Sequence, residues 1–249
     1  MKKTLFEIVD SILNEMDADK VNSITDTVES EQVAQIVKDC YYEMLSNRNW
    51  PHTRRLVQFD AVSDVTKPNY LKAPSNMKEL VFFKYEVQKL PTDAPLLEEV
   101  KYKEPEEFLR MIARRTGDNV KEVVDFSGST LLIHDDVAPS YWTSFDDQYV
   151  ITDSYNKALD TTLMKSKTQC LAFMVPSWTH SDTFVPDLPI DAFSALEEEA
   201  KSTAFLTLKQ MANQKAEQKT ARQQRWLSRK AWTLEGGVKF PDYGRKGRR

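Results

Sequence analysis

An α+β fold is predicted by three features of this 249-residue chain. Two stretches near the N-terminus carry apolar residues at helical spacing. From about residue 51 to residue 186 that spacing gives way to short apolar and aromatic runs divided by prolines, which reads as a β-rich region with helical insertions. Beyond Pro189 neither Pro nor Gly recurs until Gly236, and the apolar period is helical again. The organisation expected is an N-terminal helical pair (1–50), a β-rich middle (51–186), a long C-terminal helix packing with the N-terminal helices (187–232) and an extended basic arm (233–249).

Residues 4–16 form the first predicted helix, because Leu5, Ile8, Val9, Ile12, Leu13 and Met16 share one face behind Lys3 or Thr4. Val21 to Val28 is a polar loop anchored by Ile24. A second helix begins near Ser30, with Val33, Ile36, Val37, Cys40, Tyr41, Met44 and Leu45 marking successive turns. Cys40 lies in that apolar face and reads as a small buried hydrophobe, not a reactive thiol. The helix ends by Asn49, since Trp50 precedes Pro51 and is pushed toward extended backbone.

Leu56, Phe59 and Val62 then suggest a first strand, and Glu79 to Val87 a strand near full burial. Pro105 starts a short helix with Phe108, Leu109 and Ile112 inward, stopped by Gly117. Val120 to Phe126 and Thr130 to Ile133, joined through Ser127-Gly128, predict a β-hairpin. Tyr149 to Ile151 and Thr168 to Val175 are further strands. Tyr155, Leu159 and Leu163 between them have the spacing of a helix. In the C-terminal region Phe193, Leu196, Ala200, Ala204, Leu208 and Met211 form one apolar stripe. Glu197, Glu198 and Glu199 early, and Arg222, Arg225, Arg229 and Lys230 late, complement a helix dipole. Unbroken to Ala231, this helix would run about 65 Å at 1.5 Å per residue, more than a small domain covers, so a partner is expected along it. A break near Asn213 would give two helices instead.

Charge is divided along the chain. Residues 201–249 hold 13 Lys and Arg against 3 Asp and Glu, a net of +10, which leaves −14 of the formal −4 for residues 1–200. An acidic body argues against a protein that coats DNA, and a basic end fits an arm that seeks an acidic or aromatic-lined partner. Cys40 and Cys170 are too few to imply a disulfide framework and suit a reducing compartment. The N-terminal Met-Lys-Lys-Thr-Leu-Phe places Glu7 and Asp10 where a signal peptide needs an apolar core, and no run reaches a membrane span, so synthesis in the cytoplasm is expected.

Catalytic signatures are sparse in the sequence. His52, His134 and His180 lie far apart, without metal-ligand spacing, and His134-Asp135-Asp136 reads as a polar strand exit. The six glycines form neither a phosphate-cradling loop nor a nucleophile elbow. Asp146, Asp147 and Asp153 could hold metals as nucleases do, but such runs are more often loops or caps. The expectation is a non-enzymatic protein without cofactor or metal. The C-terminal region is more informative. Arg222, Arg225, Trp226, Arg229, Trp232, Phe240, Tyr243 and Arg245 interleave the residue types favoured as interface anchors, and these eight are the candidate partner-binding residues. The alternatives are single-stranded nucleic-acid binding by the same basic aromatic tail, or packing of Trp226 and Trp232 on the body with the last dozen residues as a solubilising tail.

Several segments resemble a known family. They are Ile12-Leu13 with Val21-Asn22-Ser23, the helix ending Cys40-Tyr41-Tyr42-Glu43 with Arg48-Asn49-Trp50-Pro51, and Tyr141 to Tyr155. Phe184-Val185-Pro186-Asp187-Leu188-Pro189, followed by Glu197 to Ala200 and a long helix, completes the set. Together they resemble the tail tubular protein A family, the head-to-tail adaptors of short-tailed bacteriophages. The resemblance implies a structural virion protein of the tail or neck. It would form a ring of twelve beneath the portal, bind portal protein through helices and a C-terminal arm, and meet nozzle or other tail proteins. DNA would pass through its lumen without sequence-specific binding, and no membrane is involved. The resemblance assigns no role to Arg245 through Arg249. An acidic body suits such a conduit, because a negative lumen repels phosphates and lets the genome slide.

Overall fold

The computed structural model describes residues 1–87, 94 and 96–234, with the side chains of 228–234 excepted. The fold is α+β, with helices at both ends of the chain and a β-rich middle, and the chain divides into two compact units. One unit combines residues 1–53 with 176–249, and the other spans 54–175.

The helical unit is built on α1 (Leu5–Glu15), α2 (Val28–Ser46) and two helices from the C-terminal region. Each N-terminal helix starts where a hydroxyl side chain satisfies amides that have no partner within the helix. Thr4 Oγ1 accepts from Glu7 N at 3.2 Å, while Thr4 N donates to Glu7 Oε2 at 2.8 Å. Thr27 and Ser30 make the same reciprocal pair, each amide donating to the other hydroxyl at 3.1 Å. Ser30 is therefore the third residue of α2, not its start. The inner faces are those the spacing predicts: Leu5, Ile8, Val9, Ile12 and Leu13 on α1, and Val33, Val37, Cys40, Tyr41, Met44 and Leu45 on α2, are buried. Ile24 is buried as the anchor of the intervening loop. Burial pushes the Cys40 thiol up to about 12, so it stays a neutral packing group.

The middle unit begins with β1 (Arg54–Val57), β2 (Asp60–Ala61), β3 (Tyr70–Lys72), β4 (Met77–Val87), β5 (Leu96–Glu99) and β6 (Lys101–Tyr102). It continues through α3 (Pro105–Ile112), β7 (Val120–Val124), β8 (Thr130–His134), β9 (Tyr141–Thr143), β10 (Tyr149–Thr152) and β11 (Thr168–Met174). One sheet has the order β1-β11-β4-β5, a second β2-β3-β10-β9-β6, and β7-β8 is the predicted hairpin. Phe59, Leu71, Phe83, Phe108, Ile133, Val150 and Cys170 lie in the core of this unit. The hairpin turn is fixed by Asp125 Oδ2, which accepts from Ser127 N at 2.9 Å, and by Gly128 at φ +85°, where a side chain would be strained.

Four local expectations are corrected here. Leu56, Phe59 and Val62 do not share a strand: β1 ends before Phe59, and Leu56 is 69% exposed. β4 is not near full burial, since only Phe83 and Tyr85 are enclosed; bulges in its pairing with β11 interrupt the alternation. Leu109 points outward from α3 and is 42% exposed; the helix buries Phe108 and Ile112, with Met111 packed beside them. Residues 155–163 form turns, not a helix: Tyr155 and Leu163 are buried separately, and Asn156 makes the turn by accepting from Ala158 N at 3.0 Å.

The C-terminal region enters through a 3₁₀ turn, Ile190–Ala192, after Pro189 and continues as α4 (Phe193–Leu208) and α5 (Gln214–Leu234). The continuous 65 Å rod does not form. Gln210 has φ +52°, which ends α4, and Asn213 starts α5 by accepting from Ala216 N at 3.1 Å. Met211, the last residue of the predicted stripe, falls in this break and is 66% exposed. α4 is also not one-sided. No residue from Ala192 to Ser202 is exposed, because α1, α2 and α5 all pack on it.

The cavity left by Ile12→Ala, at a fully buried position between α1 and its neighbours, is expected to cost about 2–5 kcal/mol. The drop in urea midpoint of the full chain measures it, and a cost near zero would mean that α1 does not hold the helical unit together.

Candidate functional site

The two faces of α5 do different things. Ala216, Thr220, Gln223, Gln224 and Leu227 are spaced at three and four residues and turn inward, with Ala216 and Leu227 fully enclosed. Polar ties fasten this face to α4. Lys219 pairs with Glu198, Gln223 Nε2 donates to Ser194 Oγ at 2.7 Å, and Gln224 Nε2 donates to Glu199 Oε2 at 2.9 Å.

These ties explain the glutamate run. Glu197 accepts from Lys3 Nζ and from Ser11 Oγ, both at 2.6 Å. Glu198 lies beside Lys201 at 3.6 Å, and Lys201 reaches Glu15 of α1 at 2.6 Å. Three successive carboxylates thus point to α1, to a buried lysine and to α5. They tie helices together, a role beyond complementing the helix dipole. Burial raises the Glu197 carboxyl, but hydrogen bonds from Lys3 and Ser11 and the positive charge of Lys3 outweigh it and hold it below the usual range. Glu199 is held above it, chiefly by burial and also by the nearby Glu43 charge, against the hydrogen bond from Gln224.

On the outer face Arg222, Arg225 and Trp226 are exposed, Trp226 by 50%. Steps of three and four residues make these positions neighbours on the helix surface. Three of the eight candidate residues are therefore gathered on one face. Arg229 and Trp232 fall in the last turns of α5, where side chains lie outside the described residues. Phe240, Tyr243 and Arg245 lie outside the described residues altogether. Nothing on this face converges on a reacting atom; what it can do is present two guanidinium groups and an indole to another surface.

The acidic residues of the middle unit have structural partners. Asp146 Oδ1 accepts from Gln148 N and Tyr149 N, both at 3.0 Å, and so closes the β9–β10 turn. Asp153 is buried, paired with Arg115 at 2.7 Å, and accepts from Ser140 N and Tyr141 N at 3.0 and 2.9 Å. Among the described residues no group of three or more His, Cys, Asp or Glu side chains is placed to hold a metal ion. An open cleft of about 700 Å³ in this unit is lined by Leu80, Val81, Phe82, Tyr102 and Trp142 with Glu79, Glu99 and Asp147, and contains neither histidine nor cysteine. No helix among the described residues is long and apolar enough to cross a membrane. Compared with known proteins, the chain matches no family model and no curated protein.

The raised Glu199 carboxyl has a defined consequence for pH. A carboxyl whose folded value exceeds its unfolded one contributes stability that is complete below the unfolded value and is lost as pH rises through the folded value. Glu199→Gln keeps an acceptor for Gln224 and removes the charge. It is expected to stabilise the chain at pH 7 and to have little effect below the ordinary glutamate range. Urea midpoints at the two pH values test this, and an equal shift at both would exclude the electrostatic cause.

Proposed function

We propose that this chain is a structural connector of a short-tailed phage neck. It forms a ring, of twelve copies by family resemblance, docks on portal protein through the outer face of α5 and the basic arm beyond it, and joins portal to nozzle or other tail proteins. Made in the host cytoplasm, it becomes part of the virion, acts without catalysis or cofactor, and leaves the genome free to slide through the lumen. The observation that carries this reading is the division of α5. Its inner face is consumed by α4, while Arg222, Arg225 and Trp226 are left outward in a chain whose first 200 residues bear the acidic excess. A cationic, aromatic face on a firmly held helix is suited to grip a protein surface with little loss of conformational freedom.

Arg222→Glu with Arg225→Glu, at exposed positions, is expected to leave the fold intact and to weaken portal binding by roughly tenfold or more, the scale of like charges forced into an interface. Removal of residues 233–249 should act in the same direction. Full portal affinity in both variants overturns the docking reading. The same variants decide against the nucleic-acid alternative if the parent chain binds no single-stranded DNA at about 50 mM salt, where phosphate-driven binding is strong.

A further inference from the structure

Among the described residues the four-stranded sheet ends in two edges, β1 on one side and β5 on the other. Every neighbouring pair within it is antiparallel, so β1 and β5 run in opposite directions. If β1 of one copy is laid against β5 of another, with the two sheets in the same sense, the new pair is antiparallel as well. Arg54-Arg55-Leu56-Val57 then reads against Glu99-Glu98-Leu97-Leu96. Level pairing opposes Arg54 to Glu99, Arg55 to Glu98, Leu56 to Leu97 and Val57 to Leu96.

The faces agree as well as the sequence. Val57 lies level with Cys170, which lies level with buried Phe83, so Val57 belongs to the core side. Leu96 pairs with Val87, two residues beyond buried Tyr85 and on that same side. Leu56 and Leu97 therefore share the opposite side. A slip of one residue would set a charge against a leucine and put mismatched faces together. Leu56, Leu96 and Leu97 are 69%, 57% and 39% exposed, which leaves apolar area for a neighbour to cover. Arg54 adds an independent sign. Its guanidinium stacks 5.4 Å from the Phe173 ring, while its buried Nε has no hydrogen-bond partner.

We propose that β1 of one copy pairs antiparallel with β5 of a second copy, continuing the sheet across the boundary between them. Edge strands ordinarily carry charge to discourage such pairing. Here the two edges carry opposite signs. A two-fold pair of β1 with β1 sets Arg54 against Val57 and Arg55 against Leu56, and a two-fold pair of β5 with β5 sets Glu99 against Leu96 and Glu98 against Leu97; only the head-to-tail pair matches each charge with its opposite and each apolar residue with another. This favours the heterologous contact that rings are made from over a two-fold dimer. β1 is level with Glu79–Phe83 of β4 and β5 with Lys84–Val87, so successive copies step along the strands, a stagger that closed sheets require. The pairing stands on these edges alone; its closure into a ring rests on the connector reading.

Cysteine cross-linking of the full chain tests the register. Cys40 and Cys170 are buried and stay silent. A chain carrying Leu56→Cys and Leu97→Cys is expected to give a ladder of disulfide-linked multimers on oxidation at millimolar concentration, because opposed strand residues come within disulfide reach. Leu56→Cys with Leu96→Cys, on opposite faces, should yield roughly tenfold less, the ratio set by one misplaced contact. Glu98→Arg with Glu99→Arg should abolish the ladder, and adding Arg54→Glu and Arg55→Glu should restore it, with circular dichroism confirming the fold of each variant. Equal yields from the two cysteine pairs, or no ladder at all, overturn the proposal. No ladder with portal binding intact removes the edge pairing and spares the connector. A ladder without portal binding does the reverse.

Discussion

The enclosure of α4 is the constraint on which the helical unit depends. Its first three turns touch α1, α2 and α5, so side chains that would be surface groups on a two-layer helix are interior here. Buried carboxylates are tolerated only when each finds a partner. Glu197 finds Lys3 and Ser11, Glu198 finds Lys201 and Lys219, and Glu199 finds Gln224. These contacts help to fix the rotation of α1 and α5 about α4. Apolar packing alone would leave that rotation loosely specified, because alanines at Ala195, Ala200 and Ala204 present little relief to lock against.

From that constraint comes the outward face of α5. A helix whose inward stripe is satisfied by Ala216, Leu227 and three polar ties needs no further burial for its own stability. Arg222, Arg225 and Trp226 are exposed on its outer face, carried on a helix and not on a loop. Recognition of this kind uses no cavity and no perturbed nucleophile. Both thiols are buried and pushed up to about 12, which removes them from chemistry at neutral pH.

The middle unit follows the same economy. Its acidic residues at Asp146 and Asp153 hold turns and loop amides, and the register shifts in the β4–β11 pairing lie inside the sheet and not at its edges. Opposite charges on β1 and β5 give the sheet a direction. Polarity of that sort favours the addition of identical copies one after another over a two-fold contact.

Much of the local structure was legible in the chain itself. The inward faces of α1 and α2 and the Ser127-Gly128 hairpin follow from spacing and turn residues, whereas spacing alone sets the start of α2 near Ser30, past its Thr27 cap, and leaves a break near Asn213 as one of two alternatives. Composition singled out Arg222, Arg225 and Trp226 as candidates, and the tertiary structure adds only that all three are exposed. Spacing and composition miss whatever depends on a distant partner. Nothing local says that Glu197, Glu198 and Glu199 are enclosed, that Leu109 turns away from the core, or that residues 155–163 wind into turns. Nor does any local pattern place Arg54 and Glu99 on opposite edges of one sheet, since strand order is a property of pairing across long separations. Periodicity records which face a residue occupies on its own element; only the tertiary structure decides what lies against that face, because burial and pairing are set by contacts between residues far apart in the chain.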